Sequence, residues 1–128
     1  MRTGFRVAGL LLAWVGAGPA MAHHSFATQY DANRPVTLTG VVTKVEWMNP
    51  HARFYVDVKD ENGNVTNWNF ELASPNVLTR NGWSRDSLKQ GDEVTVEGSR
   101  ARSGANMANA RTVKLADGRQ VFAREAPQ

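Results

Sequence analysis

The sequence predicts a mainly β fold: a small five- to six-stranded antiparallel barrel with one short helix between its third and fourth strands. Three observations carry that expectation. Apolar and polar residues alternate in short runs, most clearly at Phe54, Val56 and Val58 and again at Trp68, Phe70 and Leu72; this is the period of a half-buried strand. Asn62-Gly63 and Asp117-Gly118 stand between such runs, and both dipeptides favour tight hairpin turns. Between the third and fourth runs, Ser74-Pro75 opens and Gly82 closes a short segment, as a helix cap, a first helical residue and a stop would. A composition of 41% hydrophobic and 21% charged residues belongs to one ordinary globular domain.

The first 22 residues are expected to lie outside that domain. Arg2 and Arg6 make a basic start, residues 7–15 are apolar but too short to span a bilayer, and Ala20-Met21-Ala22 offers small residues at a cleavage site. Together these read as a secretory signal over residues 1–22, cut after Ala22 to expose His23, with a periplasmic or secreted product. No later apolar run reaches transmembrane length. Losing Arg2 and Arg6 removes two of the 15 basic residues that face 12 acidic ones. The processed chain is then close to neutral and lacks the basic stripe that nucleic acid requires. With no cysteine there is no disulfide, thiolate ligand or thiol nucleophile, so the fold rests on its core alone.

Residues 23–35 read as an extended arm that Phe26 and Tyr30 can tack to the barrel, with the barrel itself over residues 36–123 and a loose tail at 124–128. Along residues 36–47 the apolar parity changes: Val36, Leu38 and Val42 share one phase, Val45 and Trp47 the other. One bulge between residues 40 and 44 accounts for this, because an extra residue turns every later side chain to the opposite face. The next two strands form a hairpin around Asn62-Gly63, and residues 75–81 form the short helix, with Val77, Leu78 and Trp83 plugging a barrel end. A fourth strand covers residues 93–100. Residues 102–109, rich in small and polar side chains, read as a loop, and a last hairpin pairs residues 111–115 with 119–123.

This order of elements is that of the oligonucleotide/oligosaccharide-binding barrel; an open antiparallel sheet under one helix is the alternative. The residues His23-His24-Ser25-Phe26, Gly40-Val41-Val42, Trp47-Met48-Asn49-Pro50-His51 and Gly91-Asp92-Glu93-Val94 also resemble, in combination, a secreted bacterial family known as domain of unknown function 6152. The likeness covers essentially the whole chain after residue 22. It implies export and a small β fold, and no activity.

Candidate chemistry falls at three places. An N-terminal His23 supplies an α-amine and an imidazole from one residue, and His51 opposite would complete a T-shaped nitrogen set suited to copper as Cu(II), with His24 nearby. A cut after Ala20 would instead put His23 third, in the manner of amino-terminal copper-binding peptides. The plain alternative makes His23 and His24 a polar start and His51 a locally hydrogen-bonded turn residue. The outward row Tyr55, Asp57, Asn67, Asn69 and Glu71, with Arg53, is a candidate surface for a protein, peptide, glycan or other small ligand, or merely a solvated face. Trp47, Trp68 and Trp83 fit core positions better than a stacking platform. Glu46 and Glu71 have no spacing that defines an acid/base pair, and no serine sits in a nucleophile elbow. The expectation is a non-enzymatic exported binding module, with copper as its possible cofactor.

Overall fold

A computed structural model describes residues 26–122. The proposed signal, its cleavage residues Ala20 and Ala22, the histidines His23 and His24, and the tail from residue 123 lie outside the described residues. The order is helix α1, described over residues 26–29, then β1 (Tyr30–Glu46), β2 (Arg53–Lys59), β3 (Val65–Glu71), helix α2 (Pro75–Arg80), β4 (Glu93–Ala101), β5 (Met107–Leu115) and β6 (Gln120–Phe122). The six strands form one sheet in the order β3-β2-β1-β4-β5-β6, and a further β3–β5 pairing closes the first five into a barrel. The mainly β class and the single short helix between β3 and β4 are as the sequence predicts. No described helix is long and apolar enough to cross a membrane.

Local sequence explains each element. β1 is long because it serves two neighbours, pairing β4 along residues 30–41 and β2 along residues 41–46. Its register slips between Val42 and Lys44, inside the window where the parity change requires a bulge. The β2–β3 hairpin turns at Gly63 with φ 83°, a conformation that disfavours a side chain. Asp60 stitches the same turn by accepting from the Asn62 and Asn64 amides. In α2 the Ser74 hydroxyl accepts from the Val77 amide and Pro75 takes the first turn, where its missing donor costs nothing. Leu78 of this helix is buried, as are Trp83 and Leu88 after it.

Inward residues of five strands make the core: Val42, Phe54, Val56, Phe70, Val94, Val96 and Val113 are each at most 1% exposed. Phe54 and Phe70 are partners in register and stack with centroids 5.2 Å apart. Trp68 and Trp83 are core residues and Trp47 packs against the core, so none forms a stacking platform.

Two boundaries differ from expectation. The arm is not extended to residue 35: residues 26–29 are helical, and β1 begins at Tyr30, where Tyr30 and Asp31 pair with Ala101 and Arg100 before an irregularity that accommodates Pro35. Residues 107–109 are not loop but strand, and they run parallel to residues 69–71, so the sheet is not wholly antiparallel. Ala108 and Ala110, both fully buried, explain the misleading composition: small side chains there let β5 close the barrel against β3 and β4, rather than marking a flexible connection.

Close strand approach also explains Gly40, where an added Cβ would overlap the Asp57 carbonyl oxygen and the Val56 side chain. Gly40→Ala is expected to lower stability by about 1–3 kcal/mol, measured as a fall in the denaturant midpoint. An unchanged midpoint would mean that the β1–β2 crossing is looser than described.

Candidate functional site

Cross-strand register sets the site. The residues Glu46, Arg53, Glu71 and Asn109 form one row across β1, β2, β3 and β5, and Lys44, Tyr55, Asn69 and Met107 form the next. Just before β2, the connection from β1 turns through a cis Asn49–Pro50 bond and delivers His51 beside that first row.

Glu71 is the centre of the arrangement. Its side chain is only 5% exposed, and a buried carboxylate needs donors on both oxygens. The His51 imidazole approaches Oε1 with Nδ1 at 3.1 Å. Oε2 accepts from Arg53 Nη2 at 2.6 Å and from the Tyr30 hydroxyl at 2.8 Å. Arg53 is steadied in turn by Asn69 Oδ1 and by the Met107 thioether. The His51 side chain is 36% exposed, so the imidazole links a buried anion to solvent. Asn109, in register with Glu71, is 4% exposed and its Nδ2 has no hydrogen-bond partner.

Tyr30 is 1% exposed and anchors the amino-terminal segment to this cluster. Burial first, then the bond to Glu71, push its hydroxyl pKa well above the ordinary phenol range. The segment is pinned further by the Arg102 side chain donating to the Ala27 carbonyl, by the Arg102 amide donating to the Gln29 carbonyl, and by an Arg102–Asp31 ion pair. Phe26 packs on Tyr30 with ring centroids 5.7 Å apart.

The proposed ligand face separates into two parts. Glu71 does not point into solvent: the alternation that puts it on the outer side of β3 is correct, but the Tyr30 segment and Arg53 cover it. The remaining residues largely bind one another. Asn67 donates to Asp57 and to Thr43, Asn69 holds Arg53, and Tyr55 donates to Glu46 beneath the Lys44 ammonium. Glu46, hydrogen-bonded by Lys44, lies below the usual carboxylate range. Glu46 and Glu71 therefore have separate partners, two strands apart with Arg53 between them.

Of the three histidines, His51 alone is among the described residues, and no group of three His, Asp or Glu side chains there is arranged to hold a metal ion. Tyr30 and Arg53 were legible as an arm anchor and an outward residue, but not as partners of Glu71. The signal was present in the hairpin: a turn at Asn62-Gly63 puts Arg53 opposite Glu71. Asn109 was hidden by the loop-like composition around it.

Fold and site together define a small closed β barrel in which one buried carboxylate organises a half-exposed imidazole. The chain belongs to the family of unknown function DUF6152, which it matches over residues 11–110. That span includes Tyr30, His51, Arg53, Glu71 and Asn109. Comparison with curated proteins and with solved structures finds no match.

The raised Tyr30 pKa has a stability consequence whose sign is definite. The neutral phenol is favoured in the fold, so its contribution is complete below the unfolded value of about 10 and is lost as pH climbs above it. Tyr30→Phe is expected to cost about 1.5–3 kcal/mol at neutral pH. It should also remove the steep loss of stability above about pH 10 in denaturant titrations. An equal alkaline slope in both proteins would remove Tyr30 as its source.

Proposed function

We propose that the protein is an exported small binding module that holds Cu(II) through the amine and imidazole of a processed His23 together with the imidazole of His51. The observation that supports this most is the shared carboxylate: Tyr30, at the root of the amino-terminal segment, donates to Glu71, and His51, on the β1–β2 connection, lies with Nδ1 3.1 Å from its other oxygen. The segment that carries His23 is thereby rooted at the same end of the barrel as His51. Three Cα steps separate His23 from Phe26, a reach of up to about 11 Å. The chemistry is consistent with this assignment, since an amine and two imidazoles are the neutral nitrogen donors that Cu(II) takes in a tetragonal set.

Export and processing enter the proposal directly, because only cleavage after Ala22 would give His23 a free amine. The outward face of β2 and β3 has less to recommend it as a ligand surface, since its polar groups are already engaged with one another.

Mass determination of the exported product fixes its first residue, and copper titration of that product tests the site. Tight binding is expected, weakened about tenfold or more in His51→Ala and also when one residue is added before His23. Binding that ignores both changes would reject the shared site. A product starting at Met21 whose affinity ignores His51→Ala would place copper on the amino-terminal peptide alone.

A further inference from the structure

We infer that the outer face of β4, β5 and β6 carries a second site, which takes the paired ammonium and carboxylate of an α-amino acid and favours a basic side chain. Strand register builds it from two rows. Thr39, Thr95, Lys114 and Gln120 lie side by side in one, and Thr37, Glu97 and Thr112 in the next. Between the rows, Thr95, Glu97, Thr112, Lys114 and Gln120 line an open pocket of about 320 Å³, its mouth included. The two threonines and Glu97 are the half-buried part of this lining, and Lys114 and Gln120 the exposed part.

Two opposite charges share the pocket without neutralising each other. Both contacts of Glu97 fall on Oε2: the Thr112 hydroxyl donates to it at 3.1 Å, and Arg111 Nη2 lies 3.6 Å away. Oε1 is thereby left as an open acceptor. Among the described residues Lys114 has no ion pair and Gln120 no side-chain hydrogen bond, so an ammonium and an amide are open donors on the other row. On the outer face of β2 and β3, by contrast, the polar groups already bind one another.

A ligand with one charge of each sign satisfies both rows at once. Its carboxylate faces Lys114 Nζ and the Gln120 amide, and its ammonium faces Glu97 Oε1. Rows two residues apart along a strand are separated by about 7 Å, and a hydrogen bond at either end takes about 3 Å. The two ligand charges must then sit close together, as they do on a single α-carbon.

The adjoining hollow sets the side-chain preference. It shares Thr95 and Lys114 with the pocket and is lined further by Glu93, Leu115 and Ala116. Glu93 is exposed and has no ion pair among the described residues, so a ligand side chain entering there meets an apolar wall and an open negative charge. That favours arginine or lysine over aspartate or glutamate as the ligand. The site shares no residue with the proposed copper centre, and either can fail alone.

Amide chemical-shift mapping of the exported protein with free L-arginine at millimolar concentration tests the site. Shifts are expected at Thr95, Glu97, Thr112, Lys114 and Gln120. Affinity should fall about tenfold or more in Glu97→Gln and in Lys114→Met, with denaturant midpoints showing that both variants stay folded. Free L-glutamate should bind more weakly, and so should agmatine, which keeps the guanidinium but has no carboxylate. Agmatine binding as tightly as arginine would mean that the acidic lining merely attracts a cation, and would overturn the site. An absence of shifts, or binding that ignores both substitutions, would overturn it equally. Glutamate binding as tightly as arginine would overturn the preference for a basic side chain and leave the amino-acid head group in place.

Discussion

A carboxylate withdrawn from water is tolerable only when partners surround it, and Glu71 meets that demand with two hydrogen-bond donors and a neighbouring imidazole. Arg53 arrives from the neighbouring strand, His51 from the connection before it, and Tyr30 from the start of β1. Removing one partner would leave the others facing an under-solvated charge, which is why such a cluster couples its members more strongly than a surface ion pair does. The cluster therefore holds the amino-terminal segment against the barrel and aims the one described imidazole outward.

Around that centre the barrel is conventional in its physics. Valine and phenylalanine side chains fill the interior, a glycine allows β1 to pass close to β2, and a bulge lets one strand serve two neighbours. No disulfide is available, so the fold depends on packing, on barrel closure and on the polar cluster outside the core. Many outer side chains are paired laterally, from Lys44–Glu46 through Tyr55 to Asp57–Asn67.

Much of this was legible in the sequence because local rules govern it. Alternation places Phe54, Val56 and Phe70 inside, Asn62-Gly63 turns the hairpin, Ser74-Pro75 starts the helix, and the parity change in β1 marks its bulge. Long-range facts were not legible. That residues 107–109 pair with residues 69–71 depends on closure of the whole barrel, and Ala108 and Ala110 look like loop residues until the neighbouring strands surround them. The burial of Glu71 escaped for a similar reason. Strand period says which side of the sheet it occupies, and only the Tyr30 anchor, more than forty positions away in sequence, says that this side is covered.

The parallel contact between β3 and β5 has a consequence for the order in which the molecule assembles. The β2–β3 hairpin joins neighbours in sequence and is cheap to close, whereas residues 107–109 meet residues 69–71 only across the intervening α2 and β4. The scaffold beside Glu71 is thus completed by a contact of high sequence separation, the kind whose closure cost slows folding.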